Sequence, residues 1–143
     1  MNWTLVLLLS LFALAMGIAT VFVIPSSTEP FFWLVILLIT AYVIARQTGG
    51  RRFQHGLALG IVNSLWVTGA HVLLFRSYVA NHPKEAAMMA TMPLPTHPRV
   101  MMIIVGLIIG VVSGILIGVL AMLAAKLVQP SAPAPVGTPP MSG

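Results

Sequence analysis

The chain contains no cysteine and no aspartate, and its 143 residues include only two glutamates, Glu29 and Glu85. Without cysteine, disulfides, thiolate metal sites and cysteine nucleophiles are excluded, whichever compartment the loops face. The scarcity of carboxylates excludes more, because a metal hydrolase or a glycosidase needs acidic side chains that are missing here. Transport coupled to protons or sodium usually uses an ionisable residue inside the membrane, and within the long apolar runs of this chain the only candidate is His71. Charged residues make up 6% of the chain against 59% hydrophobic, which leaves no room for a separate soluble domain.

What the chain has in quantity is apolar sequence. The runs Trp3 to Ile24, Phe31 to Ala45, Gly56 to Phe75 and Val100 to Ala125 hold no Asp, Glu, Lys or Arg. A bilayer core takes about 20 helical residues to cross, and three of the runs reach that length outright. The second reaches it if its helix starts near Glu29, with Ser27 or Thr28 as cap and Pro30 in the first turn, and continues past Arg46 with that side chain reaching to the interface. The pattern therefore predicts an all-α integral membrane protein. Four transmembrane helices, at about 3–24, 29–47, 55–75 and 100–126, are joined as two antiparallel hairpins in one domain, 1–128. Ala13-Leu14-Ala15 resembles a signal-peptide cleavage site, but no Lys or Arg precedes the run and it continues to Ile24, so a retained helix is expected.

The connections set the topology. Residues 24–30 form a turn short enough to make the first two helices antiparallel, and Trp3, Phe31, Phe32 and Trp33 fit interfacial anchors. Gly49-Gly50 is expected to stop the second helix and turn the chain. With four crossings, Arg46, Arg51, Arg52 and Lys126 share a side with both termini, while Arg76, Lys84, Arg99 and the two glutamates lie opposite. The arginines clustered at membrane ends place both termini in the cytoplasm of a cell whose plasma or inner membrane holds the protein. In the third connection, Asn81 or His82 caps a short amphipathic interfacial helix at 83–92, with Pro83 in its first turn, and residues 93–98 are expected to be extended. The tail, 129–143, has five prolines and no periodicity and is expected to be disordered. The net charge of +5 is scattered through loops, which suits a lipid bilayer and argues against nucleic acid as partner.

The clearest motif is in the last span, where Gly106, Gly110, Gly114 and Gly118 recur at every fourth position with Ser113 beside them. Apolar helices gain little from the hydrophobic effect against one another in lipid, so close backbone approach at small residues holds them together. Gly56, Gly60 and Ser64 repeat that spacing in the third run and offer a partner seam, with Asn63, Val67 and His71 on the same face. The plain reading is helix packing, with Asn63 and His71 hydrogen-bonded within the interface; the functional readings are a polar path or a subunit seam.

A second constellation, His71, His82, His97, Met88, Met89, Met92, Met101 and Met102, is expected at one face of the membrane. Thioether and imidazole ligate Cu(I), which makes these the candidate metal residues. Met88, Met89 and Met92 follow Glu85 at helical spacing, and the plainer account is an apolar stripe resting on lipid or on the mouth of the bundle. Gly110-Val111-Val112-Ser113-Gly114 superficially resembles an intramembrane serine protease site, but the glycine is one position too far from the serine. The glycine repeat is no phosphate loop, since no Lys-Ser or Lys-Thr follows it.

Together these features point to a non-enzymatic membrane protein of structural or accessory type, without cofactor, associating with itself or a larger complex through its glycine seams. A small channel or transporter subunit and an outward-facing copper-binding protein are the alternatives.

Overall fold

The computed structural model describes residues 1–128; the tail 129–143, expected to be disordered, lies outside the described residues. Those residues form six helices: α1 (Trp3–Phe22), α2 (Glu29–Gln47), α3 (Arg52–Leu73), α4 (Phe75–Asn81), α5 (Pro83–Met89) and α6 (Pro98–Leu127). There is no strand among them. Four, α1, α2, α3 and α6, are long and apolar enough to cross a membrane.

Local chemistry explains most of the boundaries. Asn2 is extended and its Oδ1 accepts from the Leu5 N–H at 3.0 Å, satisfying a donor that the first turn of α1 leaves free. α2 opens with Glu29 and Pro30, the acid at the positive helix end and the proline where no N–H is needed. It stops because Thr48 becomes extended while its Oγ1 donates to the Ile44 carbonyl at 2.7 Å. The expected glycine turn is not how the chain reverses. Neither Gly49 nor Gly50 has a positive φ, and Arg51 instead takes the left-handed conformation with φ 53°. Its carbonyl then accepts from the His55 N–H at 3.1 Å, so α3 begins at Arg52, earlier than the expected 55.

The third connection also differs from expectation. Leu74 breaks the helical run and α4 follows, bonded through Asn81 Nδ2 to the Val21 carbonyl at 2.8 Å, where the end of α1 leaves an acceptor open. α5 ends at Met89, short of the expected 92, because the chain tightens into a turn in which the Thr91 N–H and hydroxyl both bond the Met88 carbonyl. Neither Asn81 nor His82 supplies a side-chain cap to α5. Residues 93–98 are not extended throughout: the His97 N–H reaches the Leu94 carbonyl at 3.0 Å around Pro95-Thr96. Proline at the second position of such a turn presets the φ it requires.

The packing order is not the order of the chain. α3 lies between α1 and α6, making its most extensive contact with α6, while α2 leans on α6 and scarcely touches α1. The expectation that α1 and α2 pair as a hairpin meets this difference: a short turn joins them, but their faces go to other partners. Gly17 explains part of it, since a Cβ there would stand 3.0 Å from the Val67 Cα, so α1 can come close to α3.

Burial is concentrated toward the end that holds the N-terminus and the α2–α3 turn. Leu5, Val6, Leu9, Ala41, Ile44, Leu59, Ile117 and Ala121 form one core cluster. The buried residues of α2 are Thr40, Ala41, Ile44 and Ala45, all in its C-terminal half, and those of α3 fall between His55 and Asn63. At the opposite end α2 stands away from its neighbours. His55 closes the packed end: its Nε2 accepts from the Asn2 N–H at 2.9 Å, which leaves the ring proton on Nδ1 to donate to the Arg51 carbonyl, also at 2.9 Å.

Candidate functional site

The α3–α6 contact is made backbone to backbone. A methyl group added at Gly60 would overlap the backbone of Gly114, one at Gly56 would overlap Gly118, and one at Gly110 would overlap the Ser64 side chain. Gly106 faces Thr68 in the same way. All seven expected packing residues, Gly56, Gly60, Ser64, Gly106, Gly110, Gly114 and Gly118, thus lie at this one contact within a single chain.

Where α2 departs from this pair a cleft opens, with a volume of about 420 Å³, lined by α2, α3 and α6 and roofed at its mouth by α5. Its walls at depth carry Ile36, Leu37, Val67, Val105 and Ile109, and five methionines, Met88, Met89, Met92, Met101 and Met102, gather toward the mouth. α6 reaches so far because its 30 residues span about 45 Å, well beyond a bilayer core of about 30 Å.

Polar groups in the cleft divide into satisfied and unsatisfied. The hydroxyls of Thr40, Ser64 and Ser113 bond carbonyls of their own helices at Leu37, Ile61 and Ile109. Such back-bonding is open to short hydroxyl side chains in a helix. Asn63 is different. It is 8% exposed and its Oδ1 has no hydrogen-bond partner, contrary to the expectation of a bond within the seam. Small residues at Gly60 and Ser64 brought the helices together beside it without supplying a donor.

The mouth holds both glutamates. Trp33 Nε1 donates to Glu29 Oε1 at 2.9 Å across one helical turn. Glu85 accepts a hydrogen bond from the Ser26 side chain, which holds its carboxyl below the usual carboxylate range against a smaller opposing effect of burial. Tyr78, on α4, lines the cleft beside them; burial pushes its phenol up to about 12, and the negative charges of Glu85 and then Glu29 add to the shift. No lysine or arginine lines the cleft.

The histidines separate. His71 lines the cleft but bonds Thr20 of α1 through Nε2 at 2.9 Å, rather than a group in the α3–α6 seam. Its ring stacks on Tyr78 at 4.3 Å, and Tyr78 stacks on His82 at 4.5 Å. His82 is buried outside the cleft lining, with Nδ1 3.0 Å from the Tyr78 carbonyl and Nε2 without a partner. His97 sits at the start of α6, where its carbonyl receives the Val100 and Met101 N–H groups. The methionines and His71 are therefore brought to one cleft, while His82 and His97 are not. Among the described residues no three His, Asp or Glu side chains converge as a metal-binding group. Trp33, Thr40, Thr68 and Tyr78 were not singled out from sequence as site residues. Only Trp33 carried a local signal, its i,i+4 spacing from Glu29. No family model, curated protein or solved structure matches the chain.

Proposed function

We propose that this chain is a non-enzymatic membrane protein of accessory or transport type, which binds a small membrane-borne molecule in the cleft between α2 and the α3–α6 pair. The observation that carries this reading is Asn63, a buried amide with an unpartnered oxygen in the wall of a mainly apolar cleft whose hydroxyls at Thr40, Ser64 and Ser113 are already bonded to their own helices. A buried polar atom left without a partner is costly, and a guest that bonds the amide recovers that cost. Association with other copies through the glycine seams is the weaker reading, because the seam glycines are already covered by one another within the chain.

In this reading the four spans run up and down through a plasma or inner membrane with both termini cytoplasmic, so that the cleft mouth and the methionines face outward. The α1–α2 turn and the α3–α6 connection each reverse the chain, and α5 rests at the interface as a lid over the mouth.

Photo-crosslinking tests the proposal. With p-benzoylphenylalanine at Val105, which lines the cleft, irradiation in native membranes should give one discrete small-mass adduct by intact-protein mass spectrometry. At Leu107, exposed on α6 and outside the lining, the adducts should mirror bulk lipid. The same lipid mixture at both positions would overturn the reading, and a protein adduct at Val105 would replace it with a subunit interface.

A further inference from the structure

Resting on that reading of the cleft, we infer that its guest is a cationic amphiphile: an apolar tail lying against α3 and α6 and an ammonium head held at the mouth between Glu29, Glu85, Trp33 and Tyr78. The volume of about 420 Å³ falls within the range of about 300–1,000 Å³ typical of small-molecule sites. The inner walls are apolar side chains of Ile36, Val67, Val105 and Ile109, suited to a tail and offering little to a polar body.

Charge decides the head. Glu29 and Glu85 are the only acidic residues of the whole chain, and both line this one cleft. Arg76 and Arg99 lie on neighbouring segments and Lys84 on α5 beside Glu85, whose charge it helps to stabilise, but none of the three is in the lining, and Arg99 is placed 4.9 Å over the Phe75 ring. A phosphate would meet two carboxylates with no cation in the cleft wall, so phospholipid headgroups are disfavoured and a phosphate-free cation is selected. Trp33 adds an electron-rich ring at the same mouth, a group that recognises ammonium heads, while Tyr78, its faces covered by His71 and His82, offers its phenol edge. Asn63, deeper in the cleft, supplies the independent sign that something polar is missing there: it is more than nine-tenths buried and its oxygen is unpartnered. A guest carrying a hydroxyl or amide along its tail would satisfy it.

The test uses the full chain in phosphatidylcholine nanodiscs and radiolabelled dodecyltrimethylammonium as probe, with empty discs subtracted. Saturable binding of about one probe per chain is expected, displaced by unlabelled probe but not by dodecan-1-ol or dodecyl sulfate. Removing both charges with Glu29→Gln and Glu85→Gln together should weaken binding by about tenfold or more, since each loses a charge-assisted contact, while the circular dichroism of the discs stays unchanged. Equal displacement by dodecan-1-ol, or full binding by the double variant, would overturn the cationic head while leaving a cleft that takes apolar chains. Absence of saturable binding by the ammonium, and by radiolabelled dodecan-1-ol and dodecyl sulfate assayed directly in the same discs, would overturn both this inference and the binding function itself. The displacement arm uses the native protein, so it stands even where the double variant fails to fold.

Discussion

Gly60 and Gly69 sit nine positions apart on the same helix and have opposite surroundings. A Cβ at Gly60 would overlap the Gly114 backbone, whereas one at Gly69 would meet nothing within 4 Å. Gly60→Ala should therefore destabilise the fold by about 1–3 kcal/mol through overpacking. Gly69→Ala should be neutral or stabilising by up to about 1 kcal/mol, since alanine orders a helix at lower entropic cost. Reversible unfolding in mixed micelles compares them, and equal losses for the two would remove the close seam as a source of stability. Ser26 makes a second residue-scale case. Its hydrogen bond is the largest cause of the lowered Glu85 pKa, so Ser26→Ala should move that pKa up toward the ordinary carboxylate value in an NMR titration. The sign follows from the direction of the shift. A folded-state pKa below the unfolded one contributes stability that is present above the unfolded pKa and lost as pH falls through the folded value. Removing Ser26 should flatten that acid-side loss, and an unmoved titration would mean that the hydrogen bond does not form.

At the scale of elements, the glycine period of α6 was legible because a small-residue stripe at every fourth position has one physical use in a helix pair. The cleft was not legible, because it depends on where α2 is held. α2 buries only Thr40, Ala41, Ile44 and Ala45, and nothing in its even run of Phe, Leu, Val and Ile marks the first half as unpacked. In contrast, α1 has buried residues from Leu5 to Val21. Amide hydrogen exchange should separate them: the backbone of residues 31–37 in α2 should exchange faster than that of residues 9–17 in α1, because local opening there exposes little buried surface. Equal protection along the two helices would mean that α2 is packed along its whole length. α4 escaped sequence reading for a related reason. Its seven residues have no cap and no stripe, and Tyr78 gains its meaning only from the rings of His71 and His82 on either side.

For the whole molecule, the two ends of the bundle have different physics. One is closed by the core cluster and by the bond from Asn2 to His55, which ties the N-terminus to the α2–α3 turn. The other is open, roofed by methionines, and carries both acids. Arg46, Arg51 and Arg52 mark the closed end, and their position next to membrane ends sets the expected orientation. A reporter active only in the cytoplasm should work when fused at the C-terminus and fail when inserted at Ala90, beyond α5. Activity at Ala90 would reverse the orientation and turn the cleft mouth to the cytoplasm.

Composition and period alone determined that this is a helical membrane protein with four apolar helices and a small-residue stripe, because backbone groups in lipid must bond within their own helix and that demand is written in run length. The tertiary structure alone decided which helices meet. Gly17 lets α1 approach α3, Gly60 and Gly114 bring α3 onto α6, and α2, with no glycine of its own, is left leaning on α6 by its C-terminal half. From that one unequal packing come the cleft, the lone amide of Asn63 and the meeting of Glu29 with Glu85. These residues lie 56 positions apart in sequence and are joined at one mouth only by the fold.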